Sequence, residues 1–455
     1  MRPENRPNII YIHSHDTGRY VQPYGHNVPT PNIQRLAEQG VLFRKAFCAA
    51  PTCSPSRAAL LTGQSPHSAG MTGLVNRGFG LRDYSQHLLH TLKENGYHTV
   101  LGGLQHLHRD RTQLGFDQIV APEKSTFVKD VAPAAAGFIT NVNQQVASGQ
   151  PFFMDVGFFE THREFPAIGP DDDPSLMRPP LPLPDTPATR EDMAAYCTMA
   201  RTLDQGVGMV LDTLDEAGIA DQTLVILTTD HGVAFPGCKC HLTDHGIGVS
   251  LIMRGSAQFA NGHFVGGRVI DAMISQIDIF PTLCELLDIA PPPWLQGKSF
   301  MSIMSSMVDE INEEIFAEVS YHAAYEPQRA VRTQRYKYIR RYVEEHTGHT
   351  GPVLANCDDS ISKDLWLEQD WSERIIPNEQ LYDLIFDPNE TRNLAESTQY
   401  HDILADMQGR LQRWMERTND PILTENPVSM PPEAVINQID ARSPKDTAGL
   451  FQVTR

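Results

Sequence analysis

At 455 residues the chain is long enough to bury a large core and, at roughly one domain per 150 residues, has room for two or three domains. An apolar content of 40% and a charged content of 20% exclude wholesale disorder. A formal net charge of −19 excludes a broad surface for nucleic acid or anionic membranes, so an anionic ligand would need a local positive site such as a metal ion.

The seven cysteines (Cys48, Cys53, Cys197, Cys238, Cys240, Cys284 and Cys357) are odd in number and scattered, unlike a disulfide framework, and point to a reducing compartment. The start, MRPENRPNIIYIHSHD, has no apolar stretch followed by a small-residue cleavage site, and no apolar run is long enough to span a bilayer. The expectation is a cytoplasmic protein without nucleic acid or membrane partners.

Residues 8–12 form a short apolar run after a proline, as a buried parallel strand would. PNIQRLAEQG, ending at Gly40, carries Ile33 and Leu36 at helical spacing before a glycine stop. The same alternation recurs: GYHTVLGG at 96–103 and PFFMDVGFF at 151–159 read as buried strands. A helix carrying Leu203, Val207, Val210, Leu211 and Leu214 then precedes the strand in TLVILTTDHG at 223–232. Alternating strands and helices predict an α/β fold: a large mixed, mostly parallel sheet sandwiched by helices. From about residue 310, IFAEVSYH, RAVRTQRYKYIRRY and QLYDLIF predict a smaller antiparallel sheet, giving a catalytic domain over 1–310 and a C-terminal subdomain over 311–455 with an extended tail.

In such sheets ligands bind beyond the carboxyl ends of the strands. His15 and Asp16 follow the first strand, His106 the second, His162 the third, and Asp230 and His231 the fourth. Any one of these is as readily a satisfied loop residue, but four strand ends bearing the same residue types point to one site. Asp16 and Asp230 offer oxygen donors suited to a divalent cation, with His15 and His231 as further candidates. Cys238 and Cys240 form a lone C-x-C without a partner pair, which argues against zinc. The DDD at 171–173 sits in a proline-rich stretch and is expected to be a solvated loop or lid. Arg335, Lys337, Arg340 and Arg341 read as a solvated strand face, with contact to a polyanionic sugar as the lesser alternative.

CSPSRAALLTG at 53–63 resembles the signature of the type I, formylglycine-dependent sulfatases of the alkaline phosphatase superfamily. RPNIIYIHSHD and TLVILTTDHG resemble that family's two metal-binding strand ends, while DIFPTLCELLDI and QLYDLIFDPNETRNLA are similar to its later segments. The resemblance implies that Cys53 is the precursor of formylglycine, installed by a formylglycine-generating enzyme. One hydroxyl of the hydrated aldehyde attacks sulfur beside a divalent cation, expected to be Ca2+ with Mn2+ or Mg2+ as alternatives, and the second drives out sulfate. It implies Asp16, Asp230 and His231 as metal ligands, with His15 and the modified Cys53 completing the set. Arg57 would hold the formylglycine, His106 would act as base, and His162 and Lys239 would contact the sulfate and leaving oxygen.

Two positions depart from the family pattern. His15 stands where many relatives carry aspartate, which bears on the preferred metal. Leu104 stands where many carry a sulfate-contacting lysine, removing about one positive charge from the pocket. DHGVAFPGCK resembles sulfamidase-type members, a pointer to carbohydrate substrates. The expected activity is hydrolysis of a sulfate ester of a carbohydrate or small organic alcohol. The alternatives are a phosphonate monoester or phosphodiester hydrolase of the same superfamily and a non-catalytic binding protein on this fold. The tail after Pro427, rich in proline and polar residues, is expected to extend, and wrapping a neighbouring subunit of a homo-oligomer is the contact it would serve.

Overall fold

The structure, a computed structural model, describes residues 6–446 apart from 258, 260 and 261, together with 449–451. Among the described residues, nine strands form one sheet: β1 (Asn8–Ser14), β2 (Val41–Phe47), β3 (His98–Gly103), β4 (Gln118–Ile119), β5 (Phe152–Gly157), β6 (Thr223–Thr229), β7 (Gly248–Val249), β8 (Leu251–Arg254) and β9 (Arg268–Ser275). Their order is β4-β3-β5-β1-β6-β8-β2-β7, with β9 also paired to β2. From β4 to β6 every pairing is parallel, and β8 then runs antiparallel to both β6 and β2.

The apolar run in β1 is buried on both faces. Ile9 and Tyr11 join a core with the helices Cys53–Thr62, Leu88–Glu94 and Ile279–Leu286, whereas Ile10 and Ile12 join a core with the helices Pro31–Gln39, Val128–Thr140 and Pro187–Glu216. Continuous apolar strands with no polar face are what a sheet covered on both sides requires. The order β3-β5-β1-β6 also places the four strand ends noted in the sequence side by side at one edge. The fold class is therefore the expected one.

The second sheet is antiparallel, in the order β10 (Glu314–Tyr321), β11 (Tyr325–Thr333), β12 (Tyr336–Arg341) and β13 (Glu379–Asp383). It packs onto the first through the same core that holds Ile9, which extends to Tyr321 and Trp414. The seam is also polar. Arg329 on β11 is fully buried and grips Asp420 with Nε and Nη2 at 2.5 and 2.9 Å, while Glu318 on β10 accepts from the backbone N–H and the ring of His67 at 2.6 Å each. Two carboxylates facing one guanidinium and one imidazole satisfy one another out of water.

Two expectations are corrected. Lys337 and Arg341 are fully buried, not on a solvated face. Lys337 bridges Asp244 and Glu390 at 2.6 and 3.0 Å, and Arg341 Nη2 donates to the carbonyl of Gly351. Alternation on β12 put them on the inner face, where only paired charges survive. Within the 171–173 triplet Asp172 is buried and bonded to Thr198 and Arg201. The tail after Pro427 packs on its own chain: Val428, Ala434 and Ile436 are buried, and the N–H groups of Val435 and Asn437 donate to the carbonyls of Arg77 and Ala323. No helix among the described residues is long and apolar enough to cross a membrane.

Replacing Asp420 by Asn leaves Arg329 buried with Glu318 as its one remaining carboxylate and is expected to cost about 3 kcal/mol. Urea unfolding of the variant against the parent protein measures it.

Candidate active site

The CSPSRAALLTG segment forms the helix Cys53–Thr62, whose ten residues are all buried. Pro55 is tolerated in the first turn, where its missing N–H has no intrahelical partner, and Gly63 takes φ +66° to end the helix. Cys53 thus opens a helix, with its thiol 3.4 Å from His231 Nε2. Burial, more than any charge, pushes that thiol well above its ordinary range, so the unmodified cysteine is a poor nucleophile here.

One turn on, Arg57 reaches back beneath the strand ends. Nη2 donates to Asp230 Oδ2 at 2.9 Å and to the carbonyl of Ser14 at 3.1 Å, and Nη1 meets His13 Nδ1. The geometry gives Arg57 a grip on Asp230, one turn of helix from position 53. Burial alone would raise the Asp230 carboxyl, but His231, Arg57 and Lys239 outweigh it and hold the group ionised. Its other oxygen, Oδ1, accepts the backbone N–H groups of Asp16 and His231 at 2.9 Å each, which draws the ends of β1 and β6 together.

Three more residues face this carboxylate. His15 Nε2 lies 3.2 Å from Asp230 Oδ2, and His231 Nε2 lies 3.1 Å from Asp16 Oδ1. Among the described residues, buried His15 has no hydrogen-bond partner at either ring nitrogen, and buried Asp16 Oδ1 has none either. His231 Nδ1 donates to the carbonyl of Gly232, which leaves Nε2 facing the Asp16 carboxylate. Burial holds His15 well below its ordinary range and neutral. Ligand atoms of His15, Asp16, Cys53 and Asp230 all lie within 4.8 Å of one another, two carboxylates, an imidazole and a sulfur, which is a donor set a divalent cation satisfies. The residues fit the implied metal.

His106, half-buried and held to a pKa of about 3 chiefly by desolvation of its ring, packs edge-on to His15 at 5.6 Å between ring centres. His162 stacks on His15 at 4.5 Å, and its Nδ1 faces the carbonyl of Arg163, so its Nε2 is an acceptor. Lys239 Nζ donates to Asp16 Oδ2 at 2.9 Å and lies 3.4 Å from that Nε2. Every site residue anticipated from the sequence thus lies in one cluster, except that the side chain of Leu104 belongs to a neighbouring cleft it lines with His106 and Arg109.

Sequence reasoning missed His13, Asp155, His322 and Asp358. His13 Nε2 donates to Asp155 Oδ1 at 2.8 Å, which fixes Nδ1 as the acceptor for Arg57. Asp155 was legible as a charge in the middle of the apolar run PFFMDVGFF. Asp358 Oδ2 accepts from Lys239 Nζ at 2.9 Å, and His322, buried and held well below its ordinary range by burial and then Lys239, stands beside that pair. Neither carried a local sequence signal, because both come from loops of the C-terminal half.

The sulfatase family model matches residues 7–289, and a model of the N-sulphoglucosamine sulphohydrolase C-terminal region matches 239–349. The chain is 27% identical to the N-sulphoglucosamine sulphohydrolase of Homo sapiens, covering 91% of each, and 25% identical to an ulvan-active sulfatase of Formosa agariphila, covering 96% of this chain and 78% of the relative. A solved structure in complex with its substrate D-glucosamine-2-N,6-O-disulfate superposes with a TM-score of 0.68 at 18% identity, over 92% of this chain and all of that one. The chain belongs to the sulfatase family and is a sulfuric ester hydrolase.

Asp155→Asn removes the charge that anchors His13 Nε2–H and buries an amide NH2 where Asp155 Oδ2 has no partner among the described residues, which loosens Nδ1 as the acceptor for Arg57. We expect a loss of about 1 to 3 kcal/mol in stability together with a fall in kcat. Thermal melting and steady-state kinetics on the same preparation check both.

Proposed function

We propose that this enzyme removes sulfate from a carbohydrate sulfate ester, with Cys53 converted to formylglycine. The observation that carries the reading is the convergence on Cys53, the first residue of the CSPSRAALLTG helix, of Asp230 with His15 and Asp16, whose buried ring nitrogens and Oδ1 have no hydrogen-bond partner among the described residues. The names of the human relative and of the structural neighbour support a sugar as the alcohol portion.

A divalent cation held by His15, Asp16, Asp230 and His231 would neutralise sulfate oxygens and polarise the ester. Formylglycine, made from Cys53 by a formylglycine-generating enzyme, supplies a hydrated aldehyde, one hydroxyl for attack on sulfur and the other for releasing sulfate. Arg57 keeps Asp230 ionised and aimed. Lys239 keeps its proton, because although burial lowers its pKa the carboxylates of Asp16 and Asp358 more than reverse that, so it presents a lasting positive charge to the leaving oxygen. His162 Nε2 accepts from Lys239 and fixes the ammonium from the side. His106, neutral at physiological pH, takes the proton when sulfate is expelled.

The tryptic peptide holding Cys53, from protein made beside a converting enzyme, is expected to be lighter than its cysteine form by about 18 Da. That protein should hydrolyse sulfate esters faster than matched phosphate or phosphonate esters, and Cys53→Ala should abolish turnover. An unconverted cysteine would remove the formylglycine mechanism, and a phosphorus preference would move the assignment to the related hydrolases. Separately, dialysis against a chelator is expected to stop turnover, and Ca2+, Mn2+ and Mg2+ added singly should restore it to different extents, since two imidazoles among the donors weaken the usual advantage of Ca2+.

A further inference from the structure

We propose that Asp358 is the positioning residue for Lys239. It lies beyond both matched family regions, which end at 289 and 349. The inference rests on the reading of Lys239 as the group that meets the leaving oxygen.

Lys239 Nζ is shared between Asp16 Oδ2 and Asp358 Oδ2, each at 2.9 Å, with His162 Nε2 at 3.4 Å. Asp16 belongs to the proposed metal set, and Asp358, its side chain 14% exposed, forms with Asp16 and His162 a group whose ligand atoms lie within 4.8 Å of one another. Two equidistant carboxylates hold the ammonium between them. Without the second, the charge would settle onto Asp16, away from the leaving oxygen and against a carboxylate needed by the metal. Coulomb attraction over such distances is several-fold stronger in a dry site than in water, so the second carboxylate has leverage.

The segment carrying Asp358 is itself fixed from three sides. Asn356 accepts the N–H of Ala324 at 2.8 Å and donates to Glu326 at 3.0 Å. Lys363, buried, donates to the carbonyls of Cys357 and Arg442 at 2.7 Å each and to Asp359 at 3.0 Å. Ser362 donates to Asp192, the carboxylate that also clamps Arg163 beside His162. One anchor therefore serves two of the three partners of Lys239, Asp358 and His162. A tethered carboxylate of this kind preorganises a charge so that no reorganisation is needed during reaction.

The test is a double-mutant cycle on the converted, metal-loaded enzyme with Asp358→Asn, Asp358→Glu, Lys239→Ala and the Asp358→Asn/Lys239→Ala pair, assayed on glucosamine 6-sulfate and 4-nitrophenyl sulfate. Asp358→Asn is expected to lower kcat on the sugar by about 10- to 100-fold with KM changed less than about threefold, and to lower kcat much less on the nitrophenyl ester, whose leaving oxygen needs little help. Asp358→Glu should recover most of the loss, and adding Asp358→Asn to Lys239→Ala should cost nothing further. Equal loss on both substrates, a change confined to KM, or additive effects would overturn the proposal, with thermal melting of Asp358→Glu separating these from a folding defect. Should Lys239→Ala leave both rates unchanged, the role of Lys239 falls first and that of Asp358 with it.

Discussion

The carboxylate of Asp230 is where the site is assembled. One oxygen collects the N–H groups that begin the turns after β1 and β6, and the other takes the guanidinium of Arg57 from the helix that Cys53 opens. A buried carboxylate without those three donors would be protonated or expelled, and with them it stays charged in a dry interior. Two strands and a helix are thus locked in register by one ion. The unpartnered donors of His15 and Asp16 are held against that charge with no freedom to turn away.

Around it the chain alternates sign in shells. Arg57 lies beneath Asp230, His13 beneath Arg57, and Asp155 beneath His13, so that each group fixes the tautomer or charge of the next. Toward the mouth, Lys239 separates Asp16 from Asp358. Such a ladder is costly to bury and gains little in stability against an apolar core of the same shape. Its return is orientation. A sulfate ester needs positive charge at its oxygens and at the leaving atom while the protein as a whole is acidic, and only fixed local pairing reconciles the two.

The second sheet matters for the same reason. It brings Arg329 and Glu318 against His67 in the first half of the chain, and the connections between its strands bring His322 and Asp358 up to Lys239. The family model covering the first 289 residues therefore accounts for the reaction centre but not for its whole wall.

The sequence by itself determined the parallel sheet, the four strand ends and most of the cluster: buried strands must be apolar throughout, and polar residues just past them have one place to go. Asp16 and Asp230 were legible as polar residues just past apolar strands, and Cys53 and Arg57 through the resemblance of CSPSRAALLTG to the sulfatase signature. Tertiary structure alone decided the rest. Whether Lys337 and Arg341 meet water depends on which face of β12 is covered, and Asp172 gives no sign that Arg201 waits for it across 29 positions. Asp358 meets Lys239 over 119 residues of intervening chain, and no local rule ranks one aspartate in a loop above another. Partners that distant in sequence are chosen by the packing of the two sheets, which no short stretch of sequence encodes.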